Sequence, residues 1–445
     1  MENQPLILVR SFKSCLALGW RSLFCQEVGK MSNGAVGDRL GVYLHERLVG
    51  YLWLDERRRF IFQYDMAWID RPGSIALSLA LPFQREPYTD DLARPFFANL
   101  LPEAEIRRVI ARRLGISEKN DFILLRRIGG ECAGAVSVLP EGNLPQYTPG
   151  YRELDESELH KIVAELPRKP LMAGERGIRL SLAGAQNKLP IYMENDRIFL
   201  ATGNLPSTHI LKPPIQGLEG TVMNEAYCMI LAGKIGLQVP EVTIRRGLDI
   251  LFIVKRFDRE RTPDGKVARI HQEDFCQALG VLPEQKYESE GGPALNQCFD
   301  LVNRSSIRPA ADRMALLQWV IFNVLIGNAD AHAKNLTILL TDPGPRLAPF
   351  YDLLCTKIYE SHTDKLAMKI GGEKRPGWLQ EKHWKKFADA VSIKQNIVLR
   401  ILSDMIQNIV PKAEELAAEF YDNYDTDGII ERICSVIRKR AHKIG

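Results

Sequence analysis

The chain has 445 residues, of which 45% are hydrophobic and 26% are charged. This balance is typical of a soluble globular protein and excludes a disordered, collagenous or disulfide-scaffold chain. The 59 basic and 55 acidic residues leave a net charge of +4, which argues against a nucleic-acid coat protein or a polybasic membrane anchor.

The eight cysteines are scattered singly, and no two of them have Cys-x-x-Cys spacing. Metal knuckles and redox dithiols are therefore not predicted. Free thiols inside apolar stretches indicate a reducing compartment. No run approaches the roughly 18 apolar residues of a membrane span. The sequence predicts a cytoplasmic protein with no membrane contact.

The first part of the chain contains patterns typical of a small antiparallel sheet. Residues 1–36 have little pattern and are predicted to be an N-terminal extension, and residues 37–145 are predicted to form a first subdomain. Alternating apolar residues predict a hairpin at 42–54 and two further strands. The two further strands are 59–66 and 75–81, and the remaining predicted elements of this subdomain are helices at 93–114 and 118–128 and a short strand at 133–139.

A stretch rich in Pro and Gly, residues 140–151, is the predicted boundary. Residues 146–257 are predicted to hold nucleotide-binding strands and a phosphate loop, and residues 258–445 a mostly helical lobe. The fold class is thus α+β, with a mixed lobe, a helical lobe and a cleft between them, where small-molecule sites tend to lie. The predicted strands are 178–182, 188–193, 198–201, 209–212, 242–245 and 251–254, and the clearest helices are 153–166, 222–235 and 314–326.

The strongest chemical signal follows the last of these helices, where Asp330 and Asn335 form Asp-x-x-x-x-Asn. This is the spacing of a kinase catalytic loop, in which the Asp orients or deprotonates a hydroxyl and the Asn holds Mg²⁺. Asp352 follows an aromatic pair and is a candidate second metal carboxylate. Such a spacing arises by chance about once in a chain of this size. Asp330 and His332 could alternatively brace a turn.

Two further segments have features of phosphate contacts. The segment Ser181-Leu-Ala-Gly-Ala-Gln-Asn-Lys188 has small residues that let backbone N–H groups approach phosphate oxygens, although an ordinary hairpin fits it too. Lys212 ends a predicted strand and could pair with phosphates, with Glu225 as its partner. A solvated residue at a strand edge is the alternative for Lys212.

These segments, in this order, resemble the HipA-type serine/threonine kinases, the toxins of bacterial toxin–antitoxin pairs. The resemblance runs from about Gly37 to the C-terminal helices and implies a protein-kinase-like two-lobed fold. It departs from eukaryotic kinases, because neither His-Arg-Asp nor Asp-Phe-Gly is present. The matching segments are 128–136, 181–188, 208–212, 256–259, 272–274, 286–293, 328–335 and 349–352.

The resemblance also implies roles for individual residues. Asp330 would be the catalytic base, and Asn335 and Asp352 would bind Mg²⁺. Ser181 would be autophosphorylated, and its added charge would expel the phosphate loop and switch the enzyme off; a hydroxyl that merely satisfies a turn is the alternative. The residues implied to bind ATP are Ala183, Gly184, Lys188, Lys212, Lys255, Phe257, His332 and Tyr351, with the backbone of Lys255 and Phe257 at the adenine hinge.

The function implied by the resemblance is an ATP- and Mg²⁺-dependent serine/threonine protein kinase toxin. It would phosphorylate an aminoacyl-tRNA synthetase, glutamyl-type in the family, and so halt translation and favour growth arrest and persistence. A HipB-like helix-turn-helix antitoxin would neutralise it and bring it to operator DNA. Two alternatives stay open: a catalytically weak corepressor that binds the antitoxin at its operator, and a small-molecule or lipid kinase.

Overall fold

The computed structural model describes residues 39–145, 150–174, 180–202, 205–424 and 426–444. The predicted N-terminal extension, residues 1–36, lies outside these ranges. The chain begins with a four-stranded antiparallel sheet of order β3-β2-β1-β4. The predicted hairpin and third strand are confirmed. The strands of this sheet are β1 Leu40–Leu44, β2 Arg47–Leu54, β3 Phe60–Tyr64 and β4 Val136–Pro140.

The predicted strand at 75–81 is wrong. Its backbone groups are bound by side chains: the N–H of Leu77 donates to the Tyr64 hydroxyl (2.8 Å), and that of Leu79 donates to Glu273 (2.8 Å). The predicted helix 93–114 is also wrong as a single helix. It breaks after Asn99, whose side chain binds the carbonyl of Pro95 (2.8 Å). The helices here are α1 Met66–Ile69, α2 Asp90–Ala98, α3 Ala104–Leu114 and α4 Asp121–Ile128.

A six-stranded antiparallel sheet of order β5-β7-β6-β8-β10-β9 follows. Of the predicted strand 178–182, residues 178 and 179 lie outside the described residues, Leu180 forms an isolated bridge with Glu131, and no strand covers 181–182. The helix predicted from 153 begins three residues later, because Asp155 caps it. The elements are β5 Tyr151–Glu153, β6 Leu189–Glu194, β7 Arg197–Ala201, β8 His209–Lys212, β9 Val242–Arg246, β10 Ile250–Lys255, α5 Glu156–Glu165 and α6 Thr221–Ile235.

The two faces of this sheet pack against two different hydrophobic cores. Leu211 and Ile253 point to one face and belong to a core shared with the first subdomain, so that core crosses the predicted boundary. Phe252 and Val254 point to the other face and belong to the core of the helical lobe. Lys212 pairs with Phe252 across the strands and therefore points to the cleft between the lobes.

The described residues after 257 are mostly helical, as predicted, but they also contain five short strands. Helix α9 places Trp319 and Phe322 in the core of this lobe. No helix in the described ranges is long and apolar enough to span a membrane. The elements are β11 Arg259–Arg261, β12 Val267–Arg269, β13 His271–Asp274, α7 Phe275–Ala278, α8 Leu295–Ser305, α9 Pro309–Ile326, β14 Thr337–Leu340, β15 Pro345–Leu347, α10 Glu381–Ala390, α11 Gln395–Asn423 and α12 Ile429–Ile444.

Candidate active site

The loop after α9 presents a carboxylate to the cleft. Helix α9 ends at Gly327, whose φ of +75° is the left-handed conformation common at helix ends. Asn328 then binds back to Asn323 (2.8 Å) and accepts the N–H of Asp330 (3.0 Å). The Asp330 side chain is 47% exposed, and its Oδ1 accepts a hydrogen bond from the Tyr287 hydroxyl (2.6 Å). Asp330 thus faces the cleft.

A charge cluster lies beside this loop. The Lys212 ammonium binds Glu225 (2.7 Å) and Asp352 (2.9 Å), so the predicted Lys–Glu pair is present. The Asn335 amide donates to the other Asp352 oxygen (2.9 Å). Asp352 has φ of +58°, a conformation that costs a non-glycine residue about 1–3 kcal/mol and that often marks functional sites. Asp352 therefore binds Lys212 of β8 and Asn335 of a loop, and Lys212 connects it to Glu225 of α6.

The cluster shifts the ionisation of its members. Burial alone would lower the pKa of Lys212, but Asp352 and Glu225 outweigh burial and raise it. Burial would likewise raise the pKa of Asp352, but Lys212 lowers it to about 2. Burial outweighs Lys212 at Glu225 and raises the pKa of that carboxyl. At neutral pH Lys212 and Asp352 are both charged.

In the predicted phosphate loop, residues 181–188, the side chain of Lys188 contacts the backbone of the same loop. Gly184 has φ of +109°, and a Cβ there would lie 2.7 Å from the Lys188 ammonium. That ammonium donates to the carbonyl of Ala183 (2.5 Å). Burial and the neighbouring Lys212 lower the pKa of Lys188 to about 8. Ser181 lies outside the cavity: it is fully buried and donates to the carbonyl of Leu100 (2.7 Å).

Two aromatic side chains, Phe257 and Tyr351, also line the cleft. The rings of Phe257 and Tyr351 lie 5.4 Å apart, and the Tyr351 hydroxyl donates to the carbonyl of Lys334 (2.8 Å). The Lys255 side chain is 57% exposed and pairs with Glu241 (3.5 Å). The N–H of Lys255 already donates to the Glu241 carbonyl (2.9 Å), so this amide is not available to an adenine ring.

His332 lies next to Asp330 but is buried, with its Nε2 3.8 Å from the carboxylate. Its Nδ1 is buried and has no hydrogen-bond partner in the described residues. Burial lowers its pKa, so the imidazole is neutral. All of the predicted catalytic, nucleotide and metal residues line one cavity of about 480 Å³, and Ser181 alone among the predicted site residues does not.

Sequence reasoning missed a second charged network in the same cavity. Lys334 lies in the predicted catalytic loop, residues 328–335, and binds Asn99 (2.5 Å) and Asp274 (3.0 Å). Glu103, from the first subdomain, binds Lys286 (2.8 Å) and lies 3.6 Å from Lys334. The two lysines outweigh burial and lower the pKa of Glu103 to about 2. The signal for this network in the sequence is the resemblance at segments 272–274, 286–293 and 328–335, which hold Asp274, Lys286 and Lys334.

Comparison with known proteins identifies the relatives of the chain. Residues 180–413 match the HipA-like C-terminal domain and residues 40–139 match the HipA N-terminal domain. The chain belongs to the HipA family. The predicted family is therefore confirmed.

Two curated relatives and one solved structure extend this result. Y4mE of Sinorhizobium fredii is 42% identical, over 90% of this chain and 97% of its own length. The serine/threonine-protein kinase toxin HipA of Shewanella oneidensis is 31% identical, over 87% of this chain and 93% of its own. HipA from the Shewanella oneidensis complex with HipB and operator DNA superposes with a TM-score of 0.80 at 29% identity, covering 91% of this chain and 97% of that one. The HipA-like chain thus has the predicted kinase-like fold.

Proposed function

We propose that this HipA-family chain is an ATP- and Mg²⁺-dependent serine/threonine protein kinase that acts as a toxin. The observation that carries the proposal is the convergence of Asp330, Asn335, Asp352, Lys212 and Glu225 on one cavity. A hydroxyl-orienting carboxylate, two oxygen ligands and a lysine held by a glutamate are the parts that phosphoryl transfer requires.

The residues present fit a nucleotide and its metal. Burial and, after it, repulsion from Lys212 lower the pKa of the partly buried Lys188, and a phosphate that contacts both lysines would relieve that repulsion. In the described residues no three His, Cys, Asp or Glu side chains form a metal cluster. Asn335 and Asp352 offer one amide and one carboxylate, which suits Mg²⁺, because this ion keeps several waters and shares phosphate oxygens.

In the proposed mechanism, the chain mainly positions groups and balances charge. Lys212, fixed by Glu225, and the loop of Ala183 and Gly184 would hold the phosphates. Asn335 and Asp352 would hold Mg²⁺, which would supply positive charge to neutralise the phosphates. Asp330 would accept the proton of the serine or threonine hydroxyl as that oxygen bonds to the γ-phosphorus of ATP, the bond from the γ-phosphorus to the bridging oxygen breaks, and ADP leaves. Phe257 and Tyr351 would pack against the adenine.

We also propose that phosphorylation of Ser181 switches the enzyme off. Its hydroxyl is buried under Leu100, and its N–H donates to the carbonyl of Glu131 (2.9 Å). A phosphate carrying nearly two negative charges does not fit there, so a phosphorylated loop would have to leave its site. Loop departure would separate Ala183 and Lys188 from the cavity. Limited proteolysis should cut residues 181–188 faster in the phosphorylated protein, and Ser181→Ala should abolish that difference.

The partners and the cellular role are proposed from the relatives. The Shewanella oneidensis HipA was solved with HipB and operator DNA, which supports a HipB-like helix-turn-helix antitoxin and indirect contact with DNA. A cytoplasmic aminoacyl-tRNA synthetase, of the glutamyl type, is the proposed target, with translation arrest and persistence as the outcome. The alternative corepressor would need the antitoxin surface but not the catalytic residues.

The test is transfer from γ-labelled ATP with Mg²⁺. We expect the wild-type protein to label itself on Ser181 and to label a generic serine-containing substrate such as casein. Asp330→Asn should abolish both while leaving ATP affinity unchanged. Asp300→Asn is the matched control, because Asp300 is an exposed carboxylate on α8. If the wild-type protein carries no phosphate and transfers none, the kinase proposal fails and the corepressor is favoured.

A further inference from the structure

Residues 286–293, Lys-Tyr-Glu-Ser-Glu-Gly-Gly-Pro, lie against the catalytic loop. The Tyr287 hydroxyl donates to Oδ1 of Asp330 (2.6 Å), and its ring packs edge-on against His332 with the centroids 5.1 Å apart. Tyr287 therefore contacts two of the polar side chains by which the loop 328–335 lines the cavity. With Oδ1 bound, the carboxylate is held in one orientation and Oδ2 remains for a substrate hydroxyl.

The segment that carries Tyr287 is itself tightly held. The N–H of Gly292 donates to the carbonyl of Tyr287 (2.9 Å). A Cβ on Gly292 would lie 1.9 Å from the carbonyl oxygen of Gln285, so this turn requires glycine. Glu288 accepts the backbone N–H of Lys369 (2.6 Å), which ties the segment to the helical lobe. A side chain on such a turn has little freedom to move away from its partner.

The first subdomain holds the same segment from the other side. Glu103 lies between α2 and α3, and its carboxylate binds the ammonium of Lys286, the neighbour of Tyr287 (2.8 Å). The other oxygen of Glu103 lies 3.6 Å from Lys334 in the catalytic loop. One carboxylate thus connects the Tyr287 segment and the catalytic loop.

We propose that Tyr287 is a positioning residue that orients Asp330 for transfer, and that Glu103 of the first subdomain holds Tyr287 in place through Lys286. This inference rests on the proposed kinase function. It assigns a role to the segment 286–293 and makes the first subdomain part of the catalytic machinery. Tyr287 acts through Asp330, so its loss should slow transfer without weakening the binding of ATP.

The test compares Tyr287→Phe, Glu103→Gln and the double variant in the full chain, with labelled ATP and casein. Phenylalanine keeps the ring on His332 and removes only the hydroxyl. We expect kcat to fall about tenfold in Tyr287→Phe and about threefold in Glu103→Gln, with the KM for ATP unchanged, because only the orientation of Asp330 is affected. The double variant should be no slower than Tyr287→Phe, since Glu103 acts through that side chain.

The controls separate this role from folding and from the proposed function. Tyr421→Phe removes an exposed hydroxyl on α11, and Glu105→Gln removes an exposed carboxylate on α3 that pairs only with Arg108 among the described contacts; both should keep the wild-type kcat. The positioning role is overturned if Tyr287→Phe keeps the wild-type kcat, or if a higher KM for ATP explains all of its loss in kcat/KM. The kinase proposal stands in both cases. A wild-type protein that transfers nothing refutes the kinase proposal and the role of Tyr287 together.

Discussion

Lys212→Met tests the charge cluster of the site through stability as well as activity. The Lys212 and Glu225 side chains are 11% and 6% exposed, and their charged atoms lie 2.7 Å apart. Methionine keeps an apolar chain of similar length but removes the charge. Glu225 is then a buried carboxylate with no ammonium beside it, so the folded state should lose stability.

The magnitude and its pH dependence follow from the contacts. Removing one partner of a buried ion pair costs about 3–5 kcal/mol, and protonation of Glu225 limits this cost, so we expect a loss of about 3 kcal/mol at about pH 8. Burial already raises the pKa of Glu225, and loss of Lys212 raises it further. A carboxyl whose folded pKa exceeds its unfolded pKa loses stability as the pH rises between those two values. The deficit of the variant should therefore shrink at about pH 5.

The measurement is urea unfolding followed by tryptophan fluorescence at both pH values, alongside ATP binding. Lys234→Met is the control, because Lys234 lies on the exposed side of α6 and pairs with Glu419 (2.8 Å); it should change stability by less than about 1 kcal/mol. Adding Glu225→Gln to Lys212→Met should recover part of the loss. The reasoning is refuted if Lys212→Met unfolds with the same free energy as the wild type, or if its loss of stability is equal at both pH values.

Three further predictions concern the hinge, the phosphate loop and the contact between subdomains. Lys255→Ala should leave the affinity for ATP within about twofold, because the side chain is 57% exposed and its ion pair with Glu241 is exposed as well; a loss of tenfold in a titration with ATP would contradict this reasoning. Gly184→Val should weaken ATP binding by about tenfold or more, because φ of +109° strains a side chain there and its Cβ would displace Lys188; Gly265→Val, at an exposed turn, is the comparison. Burial raises the pKa of Glu273 from 4.5 to about 7, so the folded state keeps a proton that the unfolded chain releases. Stability should fall as the pH rises through that window, by roughly 3 kcal/mol, and Glu273→Gln should flatten this dependence; an unchanged slope in urea unfolding would disprove it.

The parts of the fold that sequence reasoning predicted are those with a local cause. Strand β8 has the predicted bounds, His209–Lys212, because Pro213 follows it at once. Helices α6 and α9 are long apolar segments that end at glycines with positive φ, Gly236 and Gly327. The candidate site could be predicted for the same reason, because Asp330 and Asn335 belong to one short motif that is visible in the local sequence.

The errors have distant causes. Residues 75–81 contain the apolar residues of a strand, but the Tyr64 hydroxyl and the Glu273 carboxylate bind their N–H groups. Glu273 is almost two hundred positions away in the sequence, and no local pattern indicates such a partner. The break in the helix predicted at 93–114 likewise serves a distant contact, because it places Asn99 and Glu103 against Lys334.

These distant contacts make the two family domains one structural unit. The face of the six-stranded sheet that carries Leu211 and Ile253 packs into the same hydrophobic core as the first subdomain. Separating the two would expose this apolar surface and would lower stability in proportion to its area. The same subdomain provides the carbonyl of Leu100 that holds Ser181 and the carboxylate of Glu103 that holds Lys286. A change in the first subdomain can therefore reach the phosphate loop and the catalytic loop without touching the nucleotide. Coupling between distant parts of a protein can be carried by hydrogen bonds and ion pairs of this kind, and the segment from Asn99 to Glu103 supplies three of them, to Lys334, Ser181 and Lys286.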